Sequence, residues 1–420
     1  MTSRERVLTS LNHKTPDQVA VDFGGTAVTG MHASCVEALR NHYGLSKQLV
    51  KIHEPFQCLG FIEDDLAEAI GVDIAGVIGE RTMFGTRNGG WKEWEAPWGQ
   101  TVLVGEDFET DTNDDGSMYV YPAGDRSVPP CAKLPSGGYF FDATNRQPPL
   151  PNDDDLVLED NLEEFGYITD DALAFMKKTA LSVREREKAS IGNFGGTGLG
   201  DIALVPAMNL KAPKGIRDVT EWYVSTVARA DFVHKIFEKE TDIALQNLKR
   251  VSESFGDLID VIFICGTDFG TQDSTFCSPA SFEELYKPYY RKVNDWVHAN
   301  TTWKCFKHCC GSIPSFMPLF IDAGFDIINP VQCSAKGMDP QWLKNEFGKD
   351  LVFWGGGVNT QATLPFGSPA EVRTEVLERL RIFSAKGGFV FNAIHNVQAL
   401  TPTENIVAML NAIKEFNGTK

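Results

Sequence analysis

A histidine and two cysteines follow one another in the segment KHCCGSI, residues 307–313. In an extended strand, residues two positions apart point to the same side, so His308 and Cys310 share a face and Cys309 points away. Imidazole nitrogen and thiolate sulfur are ligand types that Zn2+ takes in tetrahedral sites. The spacing therefore indicates a metal site, with a reactive thiol or three unrelated residues as the alternatives.

Other segments must supply the remaining ligands, because two residues cannot hold a zinc ion. His395 in FNAIHNVQ and Cys333 in NPVQCS are the candidate metal ligands, and Asp268 in GTDFG is a third. Cysteine is otherwise a frequent buried residue that packs as a small apolar side chain. That interpretation covers the cysteines at positions 35, 58, 265, 277 and 305.

The elements that must position these residues form a regular pattern from Ala189 onward. Short apolar runs end in Gly, Asn, Asp or His and indicate buried strands: ASIGNF (189–194), DVIFIC (260–265), WKCFKH (303–308), FDIINP (325–330), LVFWGG (351–356) and GFVFNA (388–393), with QVAVDFGG (18–25) as an earlier example. Between them lie helical segments that begin with Ser or Thr followed by Pro, such as SPAEVRTEVLERLRIF. This alternation predicts an α/β fold whose parallel βαβ units close into a (β/α)8 TIM barrel, with an open doubly wound sheet as the alternative.

Such a barrel places its active site at the C-terminal ends of the strands. Polar residues at these ends are therefore candidates as a group: Asp22, Asn193, Asp268, His308, Cys310, Asn329, Asn359 and the segment 392–395. From their positions we expect Asp268 and His395 to act in catalysis. We expect Asn329, Gln332 and Asn396 to contact the substrate.

Residues from about 80 to 145 differ from the rest of the chain, being rich in aromatic residues, Thr, Val and turn signals. This composition is typical of a β-meander. We therefore predict a single barrel domain over residues 1–420, with a β-rich insertion at about 80–145. The glycine-rich segment NFGGTGLGD (193–201) lacks the spacing of nucleotide-binding loops and is interpreted as a loop at the barrel mouth.

The formal net charge of −18 excludes a nucleic-acid binder, which needs concentrated Lys and Arg against phosphate. The same charge predicts a neutral, cationic or singly charged small-molecule substrate. No apolar run is long enough for a membrane helix, and the opening MTSRERVLTSLNHK lacks the apolar region of a signal peptide. We expect a cytoplasmic protein whose nine cysteines form no disulfide framework.

Over nearly its whole length the chain resembles the uroporphyrinogen decarboxylase superfamily, and within it the branch of corrinoid-dependent methyltransferases. The resemblance rests on SRERVLTSLNHKTPDQVAVDFGG, GTDFGTQDSTFCSPASFEELYKPYYRKV, KHCCGSI, AGFDIINPVQCSAKGMDPQWLKNEFG and GGFVFNAIHNVQALTPTENIVAML. The decarboxylase itself is a poor match, because that family holds its acidic porphyrinogen with arginines in the loop after the first strand. Here that loop reads DFGGTAVTGMH, without arginine.

The methyltransferase branch is similar in a zinc motif, H-x-C-G followed much later by another Cys. His308, Cys310 and Gly311 match its first part, whereas His395 stands near the position of the later Cys. The resemblance thus implies a zinc site whose third ligand is His395 or Cys333. It also implies a demethylase-type methyltransferase, which moves a methyl group between a small O-, N- or S-methylated substrate and the cobalt of a corrinoid (cobalamin) carried by a partner protein.

Other functions stay open at this point. One alternative is a uroporphyrinogen-decarboxylase-like lyase that acts on a carboxylated substrate without a metal ion. Another is a non-catalytic barrel that docks a corrinoid-binding protein. The resemblance leaves the methyl donor and acceptor undefined, and it allows a homodimer.

Overall fold

The apolar runs of the sequence form one eight-stranded parallel sheet in the computed structural model, which describes residues 1–419. Lys420, the last residue of the predicted domain, lies outside the described part. The strands are β1 (Ala20–Val21), β2 (Ile52–Glu54), β3 (Leu59–Gly60), β4 (Ile74–Val77), β5 (Lys92–Glu95), β6 (Thr101–Val104), β7 (Thr110–Thr112), β8 (Met118–Val120), β9 (Ala132–Leu134), β10 (Asp142–Ala143), β11 (Ala189–Gly192), β12 (Val261–Cys265), β13 (Lys304–His308), β14 (Ile327–Asn329), β15 (Val352–Trp354) and β16 (Phe389–Phe391). The helices are α1 (Ser3–Leu11), α2 (Ala33–His42), α3 (Asp64–Ile70), α4 (Asp170–Glu185), α5 (Val219–Ala228), α6 (Ala230–Phe255), α7 (Pro279–Leu285), α8 (Lys287–Asn300), α9 (Met317–Asp322), α10 (Pro340–Phe347), α11 (Thr363–Phe366), α12 (Pro369–Phe383) and α13 (Thr403–Asn417).

The eight parallel strands lie in the order β1-β16-β15-β14-β13-β12-β11-β4. Asp73, just before β4, joins the two end strands. Its N–H donates to the Val21 carbonyl oxygen at 2.8 Å, and its carboxylate accepts from the Val21 N–H at 3.0 Å. Arg6 of α1 pairs with the same carboxylate at 2.6 Å. The sheet is therefore a nearly closed barrel, which confirms the predicted (β/α)8 TIM fold and excludes the open-sheet alternative.

β4 is the barrel strand that the sequence pattern did not predict. Its sequence, IAGV, holds two small residues, so the run lacks the bulky apolar character of its neighbours. Gly76 is required there, because an added Cβ would collide with the Gly25 carbonyl oxygen. This close approach brings the loop after β1 against β4 and completes the ring.

Large side chains fill the inside of the barrel. The ring centroids of Phe263 and Phe306 lie 5.3 Å apart, and those of Phe306 and Trp354 lie 5.4 Å apart. Val7 and Leu11 of α1 belong to the same buried cluster and cover one end of it. Since α1 covers that end, the opposite end, where the strands exit, remains for a site.

Several helices begin at a Ser or Thr cap, whereas α13 begins one residue after Pro402 and has no side-chain cap. Thr2 and Glu5 form a capping box at α1, and Ser368 and Glu371 form another at α12. Ser278 caps α7 with a single bond, its side chain accepting the Ser281 N–H. None of the helices within residues 1–419 has the long apolar run that crossing a bilayer needs.

Antiparallel strands form the segment between β4 and α4. β5 pairs with β6, and β10, β9, β8 and β7 make a separate four-stranded sheet. These strands lie between Lys92 and Ala143, which confirms the predicted β-rich insertion. Aromatic rings pack its interior, with the ring centroids of Phe84 and Phe141 5.6 Å apart.

Candidate metal centre

The carboxyl end of β13 presents His308 and Cys310 on one side of the backbone. His308 is the last residue of the strand, and its Nε2 lies 3.3 Å from Cys310 Sγ. The Cys310 N–H donates to Asp268 Oδ1 at 2.6 Å, and the Gly311 N–H donates to Gln332 Oε1 at 2.7 Å. These two bonds fix the backbone after the strand, so the imidazole and the thiol are held next to each other.

Asn329 sets the tautomer of His308. Its Nδ2 donates to the Trp354 carbonyl oxygen at 2.9 Å, which turns Oδ1 toward His308 Nδ1 at 2.7 Å. An amide oxygen only accepts hydrogen bonds, so Nδ1 carries the proton and Nε2 keeps its lone pair. The ring nitrogen beside Cys310 Sγ is therefore the one that is free to bind a metal ion.

His395 reaches the same place from the loop after β16. Its ring centroid lies 5.3 Å from that of His308, and the ligand atoms of His308, Cys310 and His395 all lie within 4.8 Å of one another. The Asn396 N–H donates to His395 Nδ1 at 2.8 Å. Metal binding by either ring nitrogen gives up this bond, because Nδ1 would use its lone pair or would have to carry the ring proton. His395 is thus less well pre-arranged for ligation than His308.

Burial sets the charge of all three groups. It lowers the pKa of His308 to about 4 and that of His395 to about 3, so both imidazoles are neutral at physiological pH. Burial, together with the nearby Asp268 carboxylate, raises the pKa of the Cys310 thiol well above its usual value. A divalent cation would reverse this effect by favouring the thiolate. Two neutral imidazoles and one thiol fit a catalytic zinc site, which has three protein ligands and one open position.

The other two candidate ligands lie differently. Cys333 belongs to no group of metal-binding side chains within residues 1–419. Burial raises the pKa of its thiol to about 12, and the charges that act on it come from Arg379, Glu375 and Asp339. Of the two expected third ligands, His395 therefore joins His308 and Cys310, and Cys333 does not. Asp268 stays beside the centre, with Oδ1 4.0 Å from Nε2 of His308.

A second group of ligand-type side chains, His298, Cys305 and Asp326, lies at the opposite end of β13. The Asp326 carboxylate accepts from the Cys305 N–H at 2.8 Å, and it pairs with His298 Nε2 at 2.8 Å and Lys304 Nζ at 3.2 Å. These bonds satisfy the carboxylate within the protein. We interpret this group as structural.

The three amides expected to contact the substrate are instead bonded within the protein. Asn329 is bonded to His308 Nδ1 and to the Trp354 carbonyl oxygen. Gln332 accepts from the loop after β13, and its Nε2 donates to Gln272 Oε1 at 3.0 Å. Asn396 is fully buried, and its Oδ1 accepts from the Gly30 N–H at 2.6 Å. Their polar atoms are already paired, so the structure gives these residues the role of positioning the loops at the barrel mouth.

A cavity of about 490 Å³ opens beside His308 and His395, within the size range of small-molecule sites. His308, His395 and Asp268 line one part of it, and the glycine-rich loop after β11 lines another. Its further lining side chains include Glu54, Glu164, Asp201, Arg217, Trp222 and Glu240. The sequence patterns did not identify these six as site residues.

Glu240 is the one among them with a clear sequence signal. α6 buries Val233, Ile236, Phe237 and Ala244, which recur at helical spacing on one face. Glu240 lies on that same face, between Phe237 and Ala244. A carboxyl group on a buried helix face is rare unless it is paired or has a function. Its position in the sequence therefore indicates a site.

A family model and one solved structure agree with this architecture. Residues 207–416, half of the chain, match the family model described as uroporphyrinogen decarboxylase (URO-D). The structure of a methyltransferase from Methanosarcina mazei matches over 99% of this chain and 99% of that chain, with 15% sequence identity and a TM-score of 0.56. An endo-1,4-beta-xylanase, XylE, from Penicillium canescens matches over 44% of this chain and 70% of that chain, with 10% identity and a TM-score of 0.28. The search among curated protein sequences found no match. At 15% identity, the match to the methyltransferase shows a shared fold.

Proposed function

Since the chain belongs to the uroporphyrinogen decarboxylase family, we propose that it is a zinc-dependent methyltransferase that works with a corrinoid-binding partner protein. It moves a methyl group between a small O-, N- or S-methylated substrate and the cobalt of the partner's corrinoid. The observation that carries the proposal is the meeting of His308, Cys310 and His395 beside a cavity of small-molecule size.

His308, Cys310 and His395 would hold the zinc ion, which as a Lewis acid would draw electron density from the heteroatom that bears the methyl group. The protein groups around the ligands are fixed in advance. Asn329 orients the His308 ring, and Asp268 anchors the backbone of Cys310. Such fixed geometry contributes to the rate by aligning the methyl group with its acceptor.

We propose that Asp268 handles the proton of the reaction. When the methyl group leaves, the bonding electron pair stays on the heteroatom, which then takes up a proton. The Asp268 side chain lines the cavity, is 34% exposed, and lies beside His308. We assign the delivery of this proton in demethylation, and its removal in the reverse direction, to Asp268.

The alternative, a lyase that acts on a carboxylated substrate, has less support. The loop after β1, DFGGTAVTGMH, contains no arginine. Among the described residues that line the cavity, Arg217 is the single guanidinium, and it pairs with Glu164 at 2.7 Å. A substrate with several carboxylates would therefore meet acidic side chains without a compensating positive charge.

Metal analysis of protein purified without chelator tests the zinc part of the proposal. We expect about one zinc ion per chain, lost in Cys310→Ala. Cys309→Ala is the matched control and should keep its zinc, because the Cys309 thiol faces away and accepts from the Phe269 N–H at 3.1 Å. Protein without zinc near neutral pH, or a Cys310→Ala variant that keeps its zinc, would overturn the assignment.

Methyl transfer to a corrinoid protein reduced to cobalt(I) tests the reaction. Candidate donors are methoxyaromatics, methylamines, methanol and methyl thiols, and the corrinoid absorbance spectrum reports methylation. We expect transfer from at least one donor class with the unmodified protein and none with Cys310→Ala. A zinc-containing chain that binds the corrinoid protein but transfers no methyl group would favour the non-catalytic docking barrel.

A further inference from the structure

Glu240 presents an unpaired carboxyl oxygen to the cavity. The residue is only 9% exposed, yet it lines the cavity from the middle of α6. Its Oε2 accepts one hydrogen bond, from the Gly200 N–H at 3.3 Å. Within residues 1–419, no hydrogen bond to Oε1 is formed, and Oε1 is not one of the fully buried unpaired atoms, so it faces the open space of the cavity. A buried carboxyl group with a free oxygen at a cavity wall is a place where a ligand supplies the missing partner.

The neighbouring arginine leaves no free positive charge for Glu240. The Arg217 guanidinium is 1% exposed and pairs with Glu164 Oε1 at 2.7 Å. It also donates to the Lys214 carbonyl oxygen at 2.5 Å and to the Asp160 carbonyl oxygen at 2.6 Å. Since Arg217 is occupied in this way, and Glu164 Oε2 has no partner, this part of the wall is acidic.

Two other acidic side chains of the cavity are satisfied by the backbone. Glu54 accepts from the N–H groups of Phe56 at 3.1 Å and of Gln57 at 2.8 Å. Asp201 accepts from the Gly266 N–H at 2.8 Å. Glu54 and Asp201 therefore hold the backbone of neighbouring loops in place. Glu240 differs from both, because its one long hydrogen bond leaves most of its accepting capacity unused.

An aromatic ring lines the same cavity as Glu240. Trp222 lines the cavity, and its ring centroid lies 6.0 Å from that of Phe237, which precedes Glu240 by about one helical turn. A carboxylate near an indole ring is the combination that proteins use to bind ammonium groups, since the ring face attracts cations and also accepts their apolar substituents.

We propose that the part of the cavity around Glu240, Glu164 and Trp222 binds a protonated or quaternary ammonium group of the substrate. The inference rests on the proposed function in one respect: the molecule that carries the ammonium group is taken to be the methylated substrate. A quaternary nitrogen has no lone pair to offer a metal ion, so the ammonium group is held for recognition. The methyl group to be moved is then carried by an oxygen or sulfur atom elsewhere in the same molecule, at the metal end of the cavity.

Choline and 3,3-dimethylbutan-1-ol provide a matched pair of probes, because they have nearly the same shape and differ in having N⁺ or carbon at the branch point. Isothermal titration calorimetry measures both with the full chain. We expect choline to bind at least about tenfold more tightly, as a hydrogen-bonded or aromatic-bound cation typically does. Equal binding of the two probes, or no binding of choline, would overturn the proposal.

Two variants test whether Glu240 causes the preference for choline over the alcohol. Glu240→Gln keeps the shape of the side chain and removes its charge, so the preference for choline should fall to about twofold or less. Glu238→Gln, an exposed position on the same helix, is the control and should bind both probes as the unmodified protein does. Thermal melting of each variant confirms that the fold is retained. A choline preference that survives intact in Glu240→Gln would refute the assignment to this residue.

Proton release gives a second measurement that a purely structural role would not affect. Burial, and next the Glu164 carboxylate, raise the pKa of Glu240 to about 8, while the Gly200 N–H and Arg217 act in the opposite direction. A bound cation favours the carboxylate, so choline binding near neutral pH should release a proton, and the alcohol should release none. Calorimetry in two buffers of different ionisation enthalpy detects this difference, which should vanish in Glu240→Gln.

The probe experiment needs neither methyl transfer nor a corrinoid protein. Its outcome is therefore separate from that of the proposed function. If choline is preferred but no methyl donor reacts, the ammonium site stands and the methyltransferase proposal fails. If a methyl donor reacts but choline is not preferred, the methyltransferase proposal stands and the ammonium site is refuted.

Discussion

The amide of Asn329 determines which ring nitrogen of His308 can bind a metal ion. Its Oδ1 lies 2.7 Å from His308 Nδ1, and its Nδ2 is held by the Trp354 carbonyl oxygen. The Trp354 indole N–H in turn donates to Asp22 Oδ2 at 2.9 Å. Hydrogen bonds thus connect β13, β14, β15 and the end of β1 behind the candidate ligand. The orientation of His308 is a property of the barrel as a whole, because no single strand sets it.

Replacing Asn329 by Ala should weaken zinc binding. The variant removes the acceptor for His308 Nδ1, so the proton can move to Nε2 and block ligation. We expect a loss of roughly 10–100-fold in zinc affinity, the usual effect of removing such a partner of a ligand. Competition with a chromophoric chelator measures it. Asn345→Ala, an exposed change on α10, is the control, and an unchanged affinity in Asn329→Ala would contradict the role given to the amide.

The two imidazole ligands should differ in their importance. His308 is ready to bind through Nε2, whereas His395 must give up the hydrogen bond from the Asn396 N–H. That bond contributes about 1 kcal/mol, which offsets part of the binding free energy of His395. We expect His308→Ala to abolish zinc binding and His395→Ala to leave weaker but measurable binding in the same chelator assay. An equal loss of zinc affinity in the two variants would show that the hydrogen bond to His395 Nδ1 does not weaken zinc binding.

Local sequence patterns were sufficient for the parts of the fold that depend on neighbouring residues. The i, i+2 rule placed His308 and Cys310 on one side of the chain, because a strand alternates its faces regardless of its surroundings. The capping box at Ser368 was predictable for the same reason, since it involves residues within one helical turn.

Features set by contacts between distant segments could not be predicted from those patterns. Asn329, Gln332 and Asn396 were expected to face the substrate, but partners from other loops turn each amide into the structure. Cys333 has the right residue type for a ligand, yet it does not group with His308, Cys310 and His395. Glu240 comes from the middle of a helix, not from a strand end, so a rule about strand ends misses it.

Replacing Gly311 by Ala should distort the backbone of the loop after β13, which contains Cys310, and should leave distant parts of the barrel unchanged. Gly311 has a φ of +92°, and an added Cβ would lie 2.7 Å from the Thr271 carbonyl oxygen and closer still to the Gly270 backbone. We expect a loss of about 1–3 kcal/mol in the free energy of unfolding, with weaker zinc binding because Gly311 follows Cys310 directly. Urea unfolding and the chelator assay measure the two effects.

Gly89→Ala is the matched control for this change. Gly89 has no atom within 4 Å of an added Cβ and is not among the residues with positive φ. The substitution should change the free energy of unfolding by no more than about 0.5 kcal/mol. If both alanine variants behaved alike, the backbone conformation of Gly311 would not be what holds the loop.

Glu240→Gln should make the stability of the protein less dependent on pH. Burial raises the pKa of Glu240 from 4.5 to about 8 in the folded chain, so the folded state favours the protonated acid. That contribution to stability is complete below the unfolded pKa of 4.5 and is lost as the pH rises through about 8. The free energy of unfolding of the unmodified protein should therefore fall relative to that of Glu240→Gln across this range, and urea unfolding of both proteins at several pH values measures the difference. A difference that stays constant with pH would mean that Glu240 is already ionised in the folded protein, with its charge balanced by a group other than Arg217, which Glu164 occupies.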